Sequence, residues 1–307
     1  MKPVLVTSYV NPDLDGVACA TAYAHMLQEN GRTAEAKFFG APLGEVVFAS
    51  KEASTSIKPI TDSSAYDEII IVDVSRMHDL DPSIDPLKVI EVIDHRSIIE
   101  AEPFKNARIQ IELVASCATL VTERIKASGQ NPSRGDALLL YTAIISNSLN
   151  FRTPMTTDRD RAMAQWLENI AKPPANYLHD FYLAKSEIHL PLTDHLDADF
   201  TDYTFGGKKT GIAQLEMIDM KKYFMQHLQE FVETLNTLKQ RYALDYMLFN
   251  GADPEAGTSF IFCDDLVAQQ HLSRALDVTF TENFAYPSTL LMRKQISSKL
   301  KAELEHK

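Results

Sequence analysis

Apolar positions in the first half of the chain follow two alternating rhythms. Residues 4–9 (VLVTSY) make a short apolar run that ends in the loop NPDLDG (11–16), and residues 17–30 then carry apolar side chains at helical spacing up to Gly31. EIIIVDVS (68–75) and KVIEVIDHR (88–96) are near-continuous apolar runs, as expected of strands buried on both faces, and residues 107–115 add a strand with partial alternation. Residues 117–128, 134–151 and 158–171 read as helices; Gly129 closes the first and Lys172-Pro173-Pro174 the last. Strand, loop and helix in this order predict a doubly wound parallel sheet with helices on its faces.

The rhythm changes further on. Residues 176–188 look helical, whereas 189–199 contain a proline and little periodicity, which places a linker near 186–191 and domains at 1–187 and 188–307. Two β-patterned runs within 202–219 flank Gly206-Gly207, a hairpin signal. An amphipathic helix over 220–243, strands around 245–253 and 257–265, and a short helix over 269–277 follow. The expected fold is α/β: an N-terminal parallel-sheet domain and a smaller C-terminal α/β domain.

Composition narrows the function. At 307 residues and 45% hydrophobic, the chain is long enough for two cores, and no apolar run approaches the roughly 20 residues of a membrane helix. The apolar start is too short for a signal peptide. The three cysteines, Cys19, Cys117 and Cys263, are far apart and show no metal-binding spacing, so a reducing cytoplasm is the expected location. A net charge of −12 argues against a broad nucleic-acid-binding face. The charge is uneven: residues 1–100 carry 8 basic and 16 acidic side chains, whereas residues 289–307 carry five basic and two acidic.

Four polar groups fall at or after the ends of apolar elements: Asp13 and Asp15 in NPDLDG, Asp73 in IIIVDVS, Asp94-His95-Arg96, and Ser146-Asn147 late in the 134–151 helix. Each has an ordinary reading alone. Asn-Pro-Asp starts a turn and caps a helix, Asp73 could cap one, and a lone His is usually structural. Together they gather where ligands bind on parallel sheets, outside the carboxyl ends of the strands. Carboxylates collected there repel one another unless a cation joins them, and oxygen ligands with one imidazole suit Mg²⁺ or Mn²⁺.

At these residues the chain resembles the DHH phosphoesterase superfamily, and within it the manganese-dependent (family II) inorganic pyrophosphatases and their exopolyphosphatase relatives. The matching segments are NPDLDG (11–16), IVDVS (71–75), VIDHR (92–96), ELVASCATLV (112–121), AIISNSLNFRTP (143–154), FGGKKTGIAQLEMID (205–219) and RKQ (293–295). The resemblance implies an active site in the cleft between two domains, and one or two ions of Mn²⁺, Mg²⁺ or Co²⁺. It implies Asp13, Asp15, Asp73 and His95 as ligands, with Asp73 bridging, and Arg293 and Lys294 gripping phosphate. It also implies a small phosphorylated substrate (pyrophosphate, polyphosphate or a nucleotide) and a homodimer.

The departures are specific. Tyr9 stands where the family has a ligand His, Asn147 where it has a ligand Asp, Arg96 where the motif has a second His, and Thr201 where a substrate Lys is common. Asn147 can ligate only through its carbonyl, without charge. Arg96 offers a phosphate anchor that does not depend on pH. The expected activity is hydrolysis of phosphoanhydride bonds by a metal-activated water, with Asp73, His95 and Arg96 as the catalytic group. The alternative is a weakened member that hydrolyses a small nucleotide slowly or only binds a phosphorylated ligand.

Overall fold

The computed structural model describes residues 2–42, 44–95, 102–188, 190–198 and 200–305. The chain divides into two compact units, Met1–Phe181 and Tyr182–Lys307.

The first unit contains β1 (Val4–Thr7), α1 (Leu14–Glu29), β2 (Ala34–Ala36), α2 (Gly44–Glu52), β3 (Ile69–Val72), β4 (Val89–Asp94), β5 (Arg108–Ile111), α3 (Cys117–Ala127), α4 (Arg134–Asn147), α5 (Asp158–Ala171) and α6 (Tyr177–Lys185), which carries the division. The strands are parallel in the order β2-β1-β3-β4-β5. β1 and β3 are buried at all four positions, which explains their unbroken apolar runs. The order reverses between β1 and β3. In doubly wound sheets that reversal opens a crevice at the carboxyl ends of the two strands.

α1 lies deep. Twelve of its sixteen residues are buried, and its alanines at 18, 20, 22 and 24 let it lie close to its neighbours. Gly16 is required at its start, because a Cβ there would come within 2.5 Å of Ser8 Oγ. Gly40 takes a left-handed φ of 75°, and a Cβ on it would strike Asn11 Oδ1, the oxygen that accepts from Ala41 N. This contact holds the entrance of the NPDLDG loop.

The second unit contains α7 (Leu192–Ala198), β6 (Thr201–Phe205), β7 (Lys208–Glu216), α8 (Met220–Gln226), α9 (Leu228–Arg241), β8 (Tyr246–Asp253), β9 (Thr258–Phe262), α10 (Leu266–Leu276), β10 (Phe280–Thr281), β11 (Phe284–Ala285) and α11 (Arg293–Glu305). Its mixed sheet runs β10-β11-β9-β8-β7-β6, with β7 and β8 parallel. Alternate side chains supply two cores. Ala213, Phe249 and Phe262 join one with α7, α8 and α9, while Ile212, Leu248 and Ile261 join the other with α10 and α11. The hairpin at Gly206-Gly207 forms as the sequence predicts. The chain is thus α/β, with a parallel-sheet unit followed by a mixed-sheet unit.

Several elements differ from the sequence reading, each for a packing reason. The helix expected to reach 151 stops at Asn147, because Leu149, Asn150 and Phe151 all take positive φ and Asn150 N turns back to Ile145 O. The helix expected over 220–243 breaks at His227 into α8 and α9. Phe224 and Phe231 meet with ring centroids 4.5 Å apart, whereas seven residues of unbroken helix would separate them by about 10 Å. The aperiodic stretch after 189 includes α7, whose Leu192 and Leu196 are buried one turn apart. β2 has only three residues, too few for a visible pattern.

Candidate metal centre

Asp15, Asp73 and His95 arrive from three separate strand ends. β1 leads through NPDLDG into the first turn of α1, which carries Asp15. β3 ends at Val72, one residue before Asp73, and β4 ends at Asp94, one residue before His95. Parallel neighbours put these ends side by side. His95 Nε2 lies 3.3 Å from Asp73 Oδ1 and 3.8 Å from Asp15 Oδ2. Among the described residues these three form the one group of His, Cys, Asp or Glu side chains whose ligand atoms all lie within 4.8 Å of one another. Asp15 is fully buried and Asp73 is 1% exposed. Asp73 also sits in the left-handed region, at φ 58°, a conformation Asp tolerates at some cost. Its N–H donates to Ile93 O at 2.8 Å.

The surroundings aim these groups. His95 Nδ1 lies 3.0 Å from Val114 O. A carbonyl only accepts, so Nδ1 carries the hydrogen and the lone pair of a neutral ring, on Nε2, faces the two carboxylates. Burial opposes protonation of His95, but Asp73 and Asp15 outweigh it and push the pKa up to about 10. Burial, reinforced by the charge of Asp15, raises the Asp73 carboxyl well above the usual carboxylate range. Burial, then Asp15 and Glu45, raises Asp13 to about 6. Carboxylates crowded at this depth call for positive charge among them, which a protonated His95 or a bound cation supplies.

Asp15 is anchored at the start of α3. It accepts from Cys117 N and Ala118 N, both at 2.8 Å, from Ser116 Oγ at 2.9 Å, from Cys19 Sγ at 3.4 Å and from Asn147 Nδ2 at 2.6 Å. The backbone N–H groups are those a helix leaves unpaired in its first turn. Asp13 acts differently, as the cap of α1, its Oδ1 accepting from Asp15 N and Gly16 N at 3.0 and 3.2 Å. Tyr9 Oη accepts from Asp13 N at 3.1 Å, and the phenol, raised far above its ordinary pKa by burial and the nearby carboxylates, stays neutral.

The structure thus unites Asp15, Asp73 and His95, sets Asn147 against Asp15, and leaves Asp13 beside them as a helix cap. Arg96 lies outside the described residues. Arg293 and Lys294 open α11 in the second unit, where Arg293 N donates to Gln214 Oε1 at 2.7 Å, and Thr201 opens β6. Sequence reasoning missed Glu45, a buried carboxylate on α2 that accepts from Leu14 N at 3.2 Å and Ser146 Oγ at 3.1 Å, tying the NPDLDG loop to α4. Nothing in the sequence around Glu45 marks it. Ser116, the N-cap of α3, did carry a signal: a serine just before an apolar helical run.

A divalent ion fits these residues. Asp73 Oδ1 is buried and makes no hydrogen bond among the described residues, and His95 Nε2 beside it is oriented as a ligand by Val114. Carboxylate oxygens with one imidazole suit Mn²⁺ or Mg²⁺. A carboxylate–imidazole centre at the switch point of a parallel sheet, in a chain with a second α/β unit, defines a candidate metal-binding class of α/β protein.

Sequence comparison gives the family. Residues 3–144 match the DHH family N-terminal domain and residues 183–302 the DHHA2 domain. A Bacillus cereus protein assigned as a manganese-dependent inorganic pyrophosphatase is 30% identical over 81% of this chain and 82% of its own length. A Bacillus licheniformis protein with the same assignment is 28% identical over 96% of each chain. The crystal structure of a Methanococcus jannaschii protein assigned to the family II inorganic pyrophosphatases superposes with a TM-score of 0.69 at 24% identity, covering 98% of this chain and 99% of that one. The chain belongs to the DHH family, in the branch that joins a DHH domain to a DHHA2 domain.

Proposed function

We propose that the chain is a metal-dependent phosphohydrolase that cleaves the phosphoanhydride bonds of inorganic pyrophosphate or short polyphosphate. The observation that carries this reading is the buried, unbonded Asp73 oxygen facing a histidine nitrogen aimed by Val114. The assigned activity of the Bacillus relatives supports the substrate class. Asp15, Asp73 and His95 hold Mn²⁺, or Mg²⁺ or Co²⁺, with Asp13 and Asn147 beside them; such an ion lowers the pKa of bound water and neutralises phosphate charge. The α3 N-terminus holds Asp15 in place. Arg293 grips phosphate as a planar fork and Lys294 as a point charge, both presented in the first turn of α11. Arg96 adds a third, permanently charged phosphate contact. The chain acts in the cytoplasm, as its three buried free cysteines suggest. It forms a homodimer, for which the partly exposed strand β5 offers an edge that, among the described strands, pairs with β4 alone.

The test is phosphate release from pyrophosphate, tripolyphosphate and nucleotides with each of the three metals. Release from the inorganic substrates that disappears in Asp73→Asn supports the proposal. No release from any substrate, or equal rates in wild type and Asp73→Asn, refutes it.

A further inference from the structure

We infer that the centre holds one divalent ion, at Asp15, Asp73 and His95, that Tyr9 closes the space where a second ion would be bound, and that Asn147 supports the first site as a hydrogen-bond donor without ligating; the inference rests on the metal reading above. Ligands at right angles about 2.1 Å from an ion stand about 3 Å apart. The separations of 3.3 Å from His95 Nε2 to Asp73 Oδ1 and 3.8 Å to Asp15 Oδ2 match one such ion after a small adjustment. The unbonded Asp73 Oδ1 is the buried oxygen aimed into that space.

A second ion beside Asp73 would draw on Asp13 and on the side chain at position 9, and the structure engages Asp13 Oδ1 and the Tyr9 hydroxyl elsewhere. Asp13 Oδ1 caps α1, accepting from Asp15 N and Gly16 N. Turning it onto an ion would orphan N–H groups in the helix that carries Asp15. The Tyr9 hydroxyl accepts from Asp13 N at 3.1 Å and also hydrogen-bonds the Asp13 carboxylate. Its partly buried ring packs against the cluster that includes Leu5, Phe39 and Ile71, so swinging aside would expose apolar surface.

Asn147 turns its amide nitrogen to Asp15 Oδ2 at 2.6 Å. A carboxylate only accepts, so nitrogen and not carbonyl oxygen must face it. Asn147 therefore steadies a ligand instead of serving as one. At both positions a hydrogen-bond donor stands where the family resemblance puts a lone pair and, at 147, a charge.

The test is Mn²⁺ stoichiometry on the full-length, metal-stripped protein, read by elemental analysis and electron paramagnetic resonance. The expected result is one Mn²⁺ per chain with the six-line spectrum of an isolated ion. The double variant Tyr9→His, Asn147→Asp, checked for folding by its thermal melt, is expected to bind two, with the broadened spectrum of exchange-coupled ions. Two coupled ions in the wild type overturn the inference and leave the metal reading intact, whereas no bound ion overturns both. A folded double variant that still binds one ion overturns the roles given to Tyr9 and Asn147.

Discussion

Ser116→Ala tests how the metal-binding carboxylate is held. The Ser116 hydroxyl is fully buried, donates to Asp15 Oδ1 at 2.9 Å, and accepts from Ala118 N at 3.2 Å as the N-cap of α3. Losing the cap costs about 1 kcal/mol. Losing one hydrogen bond to a charged group costs about 1.5–3 kcal/mol. Asp15 keeps its bonds to Cys117 N, Ala118 N and Asn147, so the joint loss falls near about 2–3 kcal/mol instead of the full sum. With a urea slope of about 2 kcal/mol/M, the unfolding midpoint of the first unit drops by about 1 M. Removing a partner from behind a metal ligand also weakens Mn²⁺ binding by about tenfold or more. Urea titration of the metal-free chain followed by circular dichroism reads the first effect, and Mn²⁺ titration the second. A midpoint within about 0.2 M of wild type, together with unchanged Mn²⁺ affinity, would show that Asp15 is not anchored in this way.

Three further outcomes follow. Arg293→Ala lowers kcat/KM for pyrophosphate about 10- to 100-fold, the worth of one charged hydrogen bond, with Mn²⁺ stoichiometry unchanged; an unaltered kcat/KM removes Arg293 from the phosphate site. Arg124 reaches both Tyr23 Oη and the buried Glu91, and Arg124→Leu leaves that acid with only its Tyr23 hydrogen bond and no opposite charge, at a cost of about 3 kcal/mol, read as a lower melting temperature with one Mn²⁺ still bound per chain. His25 Nδ1 lies 2.9 and 3.0 Å from the Asp136 oxygens, and this hydrogen bond raises its pKa against the opposing effect of burial. A raised folded pKa stabilises fully below about pH 6.5 and is lost as pH climbs through the folded value. The stability gap between wild type and His25→Ala, under about 1 kcal/mol because the imidazole is half exposed, therefore narrows as pH rises above about 6.5 in paired denaturation curves; a gap that widens refutes the assignment.

Much of the first unit was legible because buried parallel strands must be apolar at consecutive positions. IIIVDVS and VIEVIDHR, short and rich in β-branched residues, satisfy that requirement as strands, and their terminal polar residues then fall at one edge of the sheet. Asp15, Asp73 and His95 could accordingly be picked out from their place at strand ends. Glu45 could not, since α2 shows no pattern separating a carboxylate that faces Leu14 N from one that faces water.

By itself the sequence determined the alternation of strands and helices, the hairpin at Gly206-Gly207 and the residue types at the centre, because local periodicity and turn chemistry act over a few neighbouring positions. Only the tertiary structure decided the roles of those residues. It turned the Asn147 amide onto Asp15, set Glu45 against Leu14 N and Ser146 Oγ, and broke the 220–243 helix so that Phe224 and Phe231 could meet. Such outcomes depend on partners dozens to more than a hundred positions away in the chain or on how side chains share one core. Hydrogen bonds and packing are settled by three-dimensional neighbours, which no local pattern encodes.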